Sequence, residues 1–74
     1  MRFPELLQKF RQKAGLSQSE LAKKVGLSVL SIQNWEQGHR KPSTQGIIAL
    51  SRGLGVSAEV LLVALGEVDG KRRS

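Results

Sequence analysis

The most informative part of the sequence is LSQSELAKKVGLSVLSIQNWEQG, residues 16–38. Ser17 has the residue type that begins a helix as its N-cap, and Glu20, three residues later, completes a capping box. Gly26 supplies the left-handed backbone conformation that ends a helix, and Ser28 caps the next one. The segment therefore predicts two short helices that are joined by a tight turn.

The same signals divide the rest of the chain into three further helices. Pro4 favours the first turn of a helix that runs to about residue 14. Pro42 and Ser43 begin a fourth helix, and Ser57 begins a fifth. Glycines stand at the expected helix ends, at Gly15, Gly26, Gly38, Gly55 and Gly66. No segment alternates apolar and polar residues over a sustained run, so we predict an all-α, compact five-helix domain.

Apolar residues recur at helical spacing in all five segments, which predicts one shared core. We assign Trp35 to this core rather than to an exposed stacking surface. Gly46 and Gly53 lie inside the fourth helix, where each costs about 1 kcal/mol relative to Ala, and we interpret both as sites of close helix packing. The predicted core residues are Leu7, Phe10, Ala14, Leu21, Ala22, Val25, Ile32, Trp35, Ile47, Leu50, Leu54, Leu61 and Leu65, with Leu16, Leu27 and Val56 in the connections.

Length and composition limit the class of protein. Seventy-four residues, 39% of them hydrophobic, make one small domain. Without cysteine, neither disulfides nor thiolate metal sites stabilise the chain. The N-terminus lacks the apolar segment of a signal peptide, and the longest apolar run, residues 60–65, is too short to span a membrane. We therefore expect a cytoplasmic protein with no membrane partner.

The charge is strongly one-sided. Twelve Lys and Arg stand against six Asp and Glu, which gives a formal net charge of +6. Such a surplus fits a polyanionic partner, although a basic soluble surface without a specific partner gives the same count. One histidine, no glycine-rich phosphate loop and no interpretable carboxylate pair argue against an enzyme, a metal site, a cofactor or a small-molecule ligand.

The sequence resembles the phage repressor and Cro type of helix-turn-helix domain, also called XRE-like, over roughly residues 5–65. The resemblance includes LSQSELA, the Gly26 turn, SIQNWEQG, the Lys-Pro-Ser entry to the fourth helix and the run ALSRGLGVSAEVLL. It implies a lambda-repressor-like fold in which the second and third helices form the helix-turn-helix. It also implies sequence-specific binding of double-stranded DNA by a transcriptional regulator.

The resemblance implies that the third helix, residues 28–37, lies in the major groove of DNA. Gln33 and Asn34 carry both a donor and an acceptor, which suits bidentate reading of adenine. Val29 and Leu30 depart from the polar residues common at such positions. Either they contact thymine methyl groups, or this surface binds a protein or packs within the domain. The implied base-reading residues are Ser28, Val29, Leu30, Gln33 and Asn34.

Other residues match positions that contact the DNA backbone or hold the fold. Gln18 matches the glutamine that hydrogen-bonds a phosphate in this family, at a helix N-terminus where anions bind readily. Arg11 and Glu36 match a salt-bridge pair, and Arg11 can also contact a phosphate. The basic loop after the third helix, which contacts the DNA backbone in the family, is His39, Arg40 and Lys41.

The fifth helix carries more apolar residues than one face can bury. We expect Val60 and Val63 to form a homodimer contact on a two-fold DNA site, unless the C-terminal tail covers them. We place the DNA-binding domain at residues 1–66 and a charged, flexible tail at residues 67–74.

Two other interpretations remain open at this point. A protein-interaction module, antitoxin-like or an adaptor, would use the apolar residues of the third helix. Alternatively, the chain is the DNA-binding piece of a longer regulator.

Overall fold

The computed structural model describes residues 2–66, and in that range the chain forms five α-helices and no strand. The all-α prediction is therefore confirmed. The tail expected at residues 67–74 lies outside the described residues. The helices are α1 (Phe3–Lys13), α2 (Gln18–Val25), α3 (Val29–Gln37), α4 (Thr44–Leu54) and α5 (Ala58–Leu65).

The helix ends lie where local sequence signals predict them. The Ser17 hydroxyl accepts a hydrogen bond from the Glu20 amide at 3.0 Å, and the Ser17 amide donates to the Glu20 carboxylate at 2.7 Å. Gly26 ends α2 in the left-handed conformation, with φ of 75°, and only Leu27 and Ser28 separate it from α3. These local interactions set the tight turn between α2 and α3.

All five helices contribute to a single apolar core. Its fully buried members are Leu7, Leu21, Ile32, Ile47, Leu50 and Leu61. Trp35 is also buried, as predicted. Ala14 is exposed, so its assignment to the core was wrong; it is the C-cap of α1 and lies beyond the last turn that faces the interior. Phe3, which the predicted stripe omitted, is buried one turn before Leu7 and extends the same face.

The packing order leaves one side of α3 uncovered. Helix α3 packs mainly on α1 and α2, while α2 packs on α4, and α5 bridges α4 and α1. Because its principal neighbours lie on one side, α3 turns its other side away from the core.

Gly53 allows α2 and α4 to approach each other closely. A Cβ atom built at Gly53 would overlap the Cγ1 atom of Val25, and one built at Gly46 would lie 2.9 Å from the Trp35 ring. Two carbon atoms cannot approach so closely without displacement of a side chain or a helix. Both glycines are therefore close-packing sites, and their cost in helix propensity is offset by the contact.

We expect Gly53→Ala to lower the free energy of unfolding by about 1–2 kcal/mol, because overpacking against Val25 outweighs the gain in helix propensity. Urea denaturation followed by far-UV circular dichroism measures the change. Val25→Ala opens the space that the new methyl group needs, so the double variant should lose less stability than the two single changes add up to. Strict additivity, or a more stable G53A protein, would contradict this account.

Candidate nucleic-acid interface

Helix α3 divides into an inner and an outer face. Ile32, Trp35 and Glu36 are buried against the rest of the domain. The outer face of α3, which we define as Val29, Leu30, Gln33 and Asn34, points away from it. Val29 is 37% exposed and Leu30 is 61% exposed, so neither packs into the core. Gln33 and Asn34 are half-buried.

The outer face presents two amides with free hydrogen-bonding capacity. Within residues 2–66, neither the Gln33 nor the Asn34 side chain has a hydrogen-bond partner. Ser28 differs: it is exposed, but its hydroxyl accepts from the Ser31 amide at 3.1 Å and pairs with the Ser31 hydroxyl at 3.0 Å. The family resemblance implies a base-reading role for Ser28, whereas most of its hydrogen-bonding capacity serves the N-cap of α3.

The inner face ends in a charged cluster that connects three helices. The Arg11 guanidinium donates from Nε to Glu36 Oε2 at 2.6 Å and from Nη2 to Glu36 Oε1 at 3.0 Å. Its Nη1 donates to the carbonyl oxygen of Leu16 at 2.9 Å. The side chain of Glu36 is only 1% exposed. Because the bidentate pair is shielded from water, the loss of one partner leaves an uncompensated buried charge, which costs more than breaking an exposed ion pair.

The hydrogen bond to Glu36 raises the pKa of the Arg11 guanidinium above its usual value. The negative charge of Glu36 adds to this effect, while burial opposes it. Arg11 therefore remains charged at any pH at which the domain folds. Among residues 2–66, three of its five N–H groups donate hydrogen bonds, and the other two do not.

Gln18 belongs to the same cluster, a role that its sequence position did not indicate. Its Nε2 atom donates to Glu36 Oε1 at 3.0 Å. The amide is thus held in place at the first residue of α2, and its second N–H remains available. No local pattern could reveal this contact, because the two residues are 18 positions apart and meet only when α2 and α3 pack.

The basic loop flanks the outer face of α3. His39, Arg40 and Lys41 are all exposed. A concavity of about 460 Å³ lies between Leu30 and Asn34 on one side and Arg40, Lys41 and Ser43 on the other. We refer to it as the α3 concavity. It brings an apolar side chain, an amide and two cations to one surface.

Two other features of the described chain bear on function. Residues 2–66 contain no cluster of His, Asp or Glu side chains suited to hold a metal ion. None of the helices in this range has the length and apolar character needed to cross a bilayer.

Comparison with known proteins identifies the family of the chain. The model of the helix-turn-helix family matches residues 7–61. The chain belongs to this helix-turn-helix family. Its α2 and α3 are the two helices for which the family is named.

Two curated relatives are transcription regulators or repressors. This helix-turn-helix chain is 38% identical over 56 residues to the HTH-type transcriptional regulator ImmR of Bacillus subtilis, covering 76% of the chain and 44% of ImmR. It is 36% identical over 52 residues to the repressor protein C2 of Salmonella phage P22, covering 70% of the chain and 24% of C2. The chain thus spans less than half the length of either relative.

Solved structures match the helix-turn-helix chain over most of its length. The solution structure of the DNA-binding domain of the P22 c2 repressor has a TM-score of 0.78 and 32% identity, covering 84% of this chain and 82% of that domain. The crystal structure of the P22 c2 repressor in complex with a synthetic operator has a TM-score of 0.77 and 28% identity, covering 92% and 98%. The lambda-repressor-like fold is therefore confirmed.

We expect Arg11→Met to lower the free energy of unfolding of the helix-turn-helix domain by about 3–5 kcal/mol, because it leaves the buried Glu36 carboxylate without its counter-charge. Chemical denaturation monitored by Trp35 fluorescence provides the measurement. Replacing both partners, in R11M/E36L, should recover most of the loss, since no buried charge then remains unpaired. If the R11M protein were as stable as the unsubstituted chain, Arg11 would not be needed to compensate the buried charge of Glu36, and this account would be wrong.

Proposed function

We propose that this chain is the DNA-binding domain of a transcriptional regulator and binds double-stranded DNA in a sequence-specific way, with α3 in the major groove. One observation carries the proposal: within residues 2–66 the half-buried Gln33 and Asn34 amides have no hydrogen-bond partner, and Asn34 lines a concavity together with Arg40 and Lys41 of the exposed loop. The names of the relatives and the operator complex of the P22 repressor support it. We assign residues 1–66 to this domain and, because it acts on genomic DNA, place it in the cytoplasm.

The proposed base contacts lie on the outer face of α3. Gln33 and Asn34 have the donor and acceptor pair that reads adenine, and Leu30 and Val29 offer apolar contact to thymine methyl groups. Ser28 contributes to base contacts only the hydrogen-bonding capacity that its N-cap contacts with Ser31 leave unused. The large exposure of Leu30 equally favours a second candidate, in which this surface binds an apolar patch of a protein and the chain is an interaction module.

The proposed backbone contacts surround this surface. Gln18 offers its second N–H at the N-terminus of α2, where free backbone amides also attract a phosphate. Arg11 offers the two N–H groups that Glu36 and Leu16 do not use. The loop residues that we propose to contact phosphates are His39, Arg40 and Lys41.

We propose that two copies bind a two-fold site, since one small domain reads too few base pairs to select a unique position. Val60 is 43% exposed and Val63 is 44% exposed on α5, which supports their role in the dimer contact. Such pairing places the two α3 helices about one turn of DNA apart.

Selection of bound duplexes from a random pool, at two salt concentrations, tests the proposed function. We expect a two-fold symmetric consensus, and an affinity whose logarithm falls with the logarithm of salt with a slope of about −5 if roughly six phosphates are neutralised. A pool that stays random would reject sequence-specific binding. A flat salt dependence would support the protein-interaction module instead.

Asn34→Ala should relax the preference at one base position of each half-site and weaken binding there by about 1–3 kcal/mol. Binding measured on duplexes that vary at each position in turn checks this effect. Gln12→Ala is the matched control, because it removes an exposed side-chain amide from α1 rather than from α3. An unchanged consensus for N34A would remove Asn34 from the base-reading set.

Val63→Asn should weaken binding to the full two-fold site by at least about fivefold while leaving binding to an isolated half-site unchanged, because only the coupling between copies is lost. Fluorescence anisotropy on both duplexes makes the comparison. Ala14→Asn introduces the same side chain at an exposed position of α1 and serves as the control. Equal losses on the two duplexes would contradict a dimer contact at α5.

A further inference from the structure

The segment between α3 and α4 carries a serine that follows two cations. The sequence there is Arg40-Lys41-Pro42-Ser43, so basic residues stand three and two positions before the hydroxyl. Among the serines and threonines of residues 2–66, no other has basic residues at both of these positions. Many protein kinases select their substrates by charge patterns of this kind, which an acidic substrate cleft recognises. Ser43 thus has the sequence context of a phosphate acceptor.

The structure presents Ser43 in a form that a kinase can reach. Ser43 is exposed, and its backbone is extended, with φ of −74° and ψ of 172°. No helix includes residues 39–43, and Thr44 and Gln45, which begin α4, are exposed as well. Clefts that bind peptides take up extended segments, and helix ends fray readily. The acceptor hydroxyl, Arg40 and the residues after Ser43 are therefore accessible without disruption of the core.

The position of Ser43 connects its hydroxyl to the proposed DNA contacts. Ser43 lines the α3 concavity together with Leu30 and Asn34 of the outer face and with Arg40 and Lys41 of the basic loop. Lys41 already interacts with another group of the described chain, so Arg40 is the cation that we assign to a phosphate on Ser43. Phosphorylation adds a charge of about −1.5 to −2, and phosphate oxygens pair strongly with a guanidinium. Such a group engages Arg40 and repels the phosphates of an approaching duplex.

The fold accommodates the added charge. Ser43 is the N-cap of α4, and its hydroxyl accepts a hydrogen bond from the Gly46 amide at 3.2 Å. Negative charge at the start of a helix is favourable, because the free amides and the helix dipole attract it. Phosphorylation of Ser43 should therefore leave the domain folded while it changes the charge of the surface.

We propose that Ser43 is a phosphorylation site for a protein kinase that selects basic residues before its acceptor, and that the phosphate weakens DNA binding. In the transfer, the Ser43 Oγ atom forms a bond to the γ-phosphorus of ATP, and the bond from this phosphorus to its β,γ-bridging oxygen breaks. The hydroxyl proton passes to a carboxylate of the kinase, and ADP leaves. The effect on DNA rests on the proposed DNA-binding function, whereas the acceptor role does not.

The acceptor role is tested with ATP, the folded chain and the catalytic domain of a serine/threonine kinase that requires Arg three positions before its acceptor. We expect one phosphate on Ser43, located by tandem mass spectrometry, and its loss in Ser43→Ala. Arg40→Gln should lower kcat/KM at least about tenfold, because the acidic cleft loses its cation. Arg52→Gln removes the same charge from an exposed position of α4 and should leave kcat/KM nearly unchanged. Equal phosphate incorporation by S43A and the unsubstituted chain would overturn the proposal.

Two further results would reject the site. Ser74 follows Lys71-Arg72-Arg73 in the sequence and is the competing acceptor, so phosphate on Ser74 and none on Ser43 would assign the modification elsewhere. A synthetic peptide of residues 37–47 gives the rate for an unfolded acceptor. If the kinase prefers this peptide to the folded chain by more than about a hundredfold, the segment must unfold before it reacts, and the fold hides Ser43.

The effect on DNA is measured with phosphoserine incorporated at position 43 by stop-codon suppression and with an isolated half-site of the selected duplex. We expect the dissociation constant to rise at least about tenfold and the salt slope to become shallower by about 1, because backbone contacts are lost. Phosphoserine at position 57, the exposed N-cap of α5, adds the same charge at the same kind of helix start outside the α3 concavity, and is the matched control. Equal weakening by both modifications would mean that only net charge matters, and the proposed antagonism would be wrong.

Folding and DNA binding are separated by two measurements. The chain with phosphoserine at position 43 should unfold at the same urea concentration as the unmodified chain or at a higher one, and a phosphatase should restore DNA binding. A large loss of stability would attribute the weaker binding to unfolding and overturn the antagonism. If no duplex is selected, the proposed function fails, whereas the kinase assay still decides whether Ser43 is an acceptor. If a duplex is selected and phosphoserine leaves its affinity unchanged, the antagonism is wrong.

Discussion

A buried carboxylate imposes the constraint on which the arrangement of the domain depends. Glu36 lies on the inner face of α3, where an ionised group without partners would cost several kcal/mol. Its two oxygens are satisfied by Arg11 from α1 and by Gln18 from α2. Because hydrogen bonds need defined distances and angles, these contacts fix the position of α3 relative to both helices. Apolar packing alone is less directional and would allow more than one placement.

The same cluster connects the fold to the surface that we assign to DNA. Gln18 uses one N–H to hold Glu36 and has another available at the exposed start of α2. Ile32 and Trp35 anchor the remainder of the inner face in the core. The outer face of α3 is therefore presented by a helix whose inner face is anchored by Ile32, Trp35 and Glu36. A rigid surface of this kind loses less conformational entropy when it binds.

The parts of the structure that depend on neighbouring residues could be predicted from the sequence. The capping box of Ser17 and the left-handed Gly26 are local devices, and they placed the turn between α2 and α3 correctly. Helical spacing identified Leu7 as a core residue, but it also included Ala14, where α1 has already ended. Contacts between distant residues left no local signal. The bond between Gln18 and Glu36, and the α3 concavity that Leu30 and Ser43 line together, exist only because the helices pack.

The two faces of α3 have separate roles: the inner face stabilises the domain, and the outer face carries the proposed binding specificity. Ile32, Trp35 and Glu36 carry the packing, whereas Leu30, Gln33 and Asn34 are not part of the buried core. Substitutions at such surface positions usually change stability by about 0.5 kcal/mol or less. Mutation can therefore explore new side chains on the outer face while the scaffold persists. Such a module is readily diversified in evolution, since a new recognition preference can arise by one or two codon changes without compensating changes in the interior.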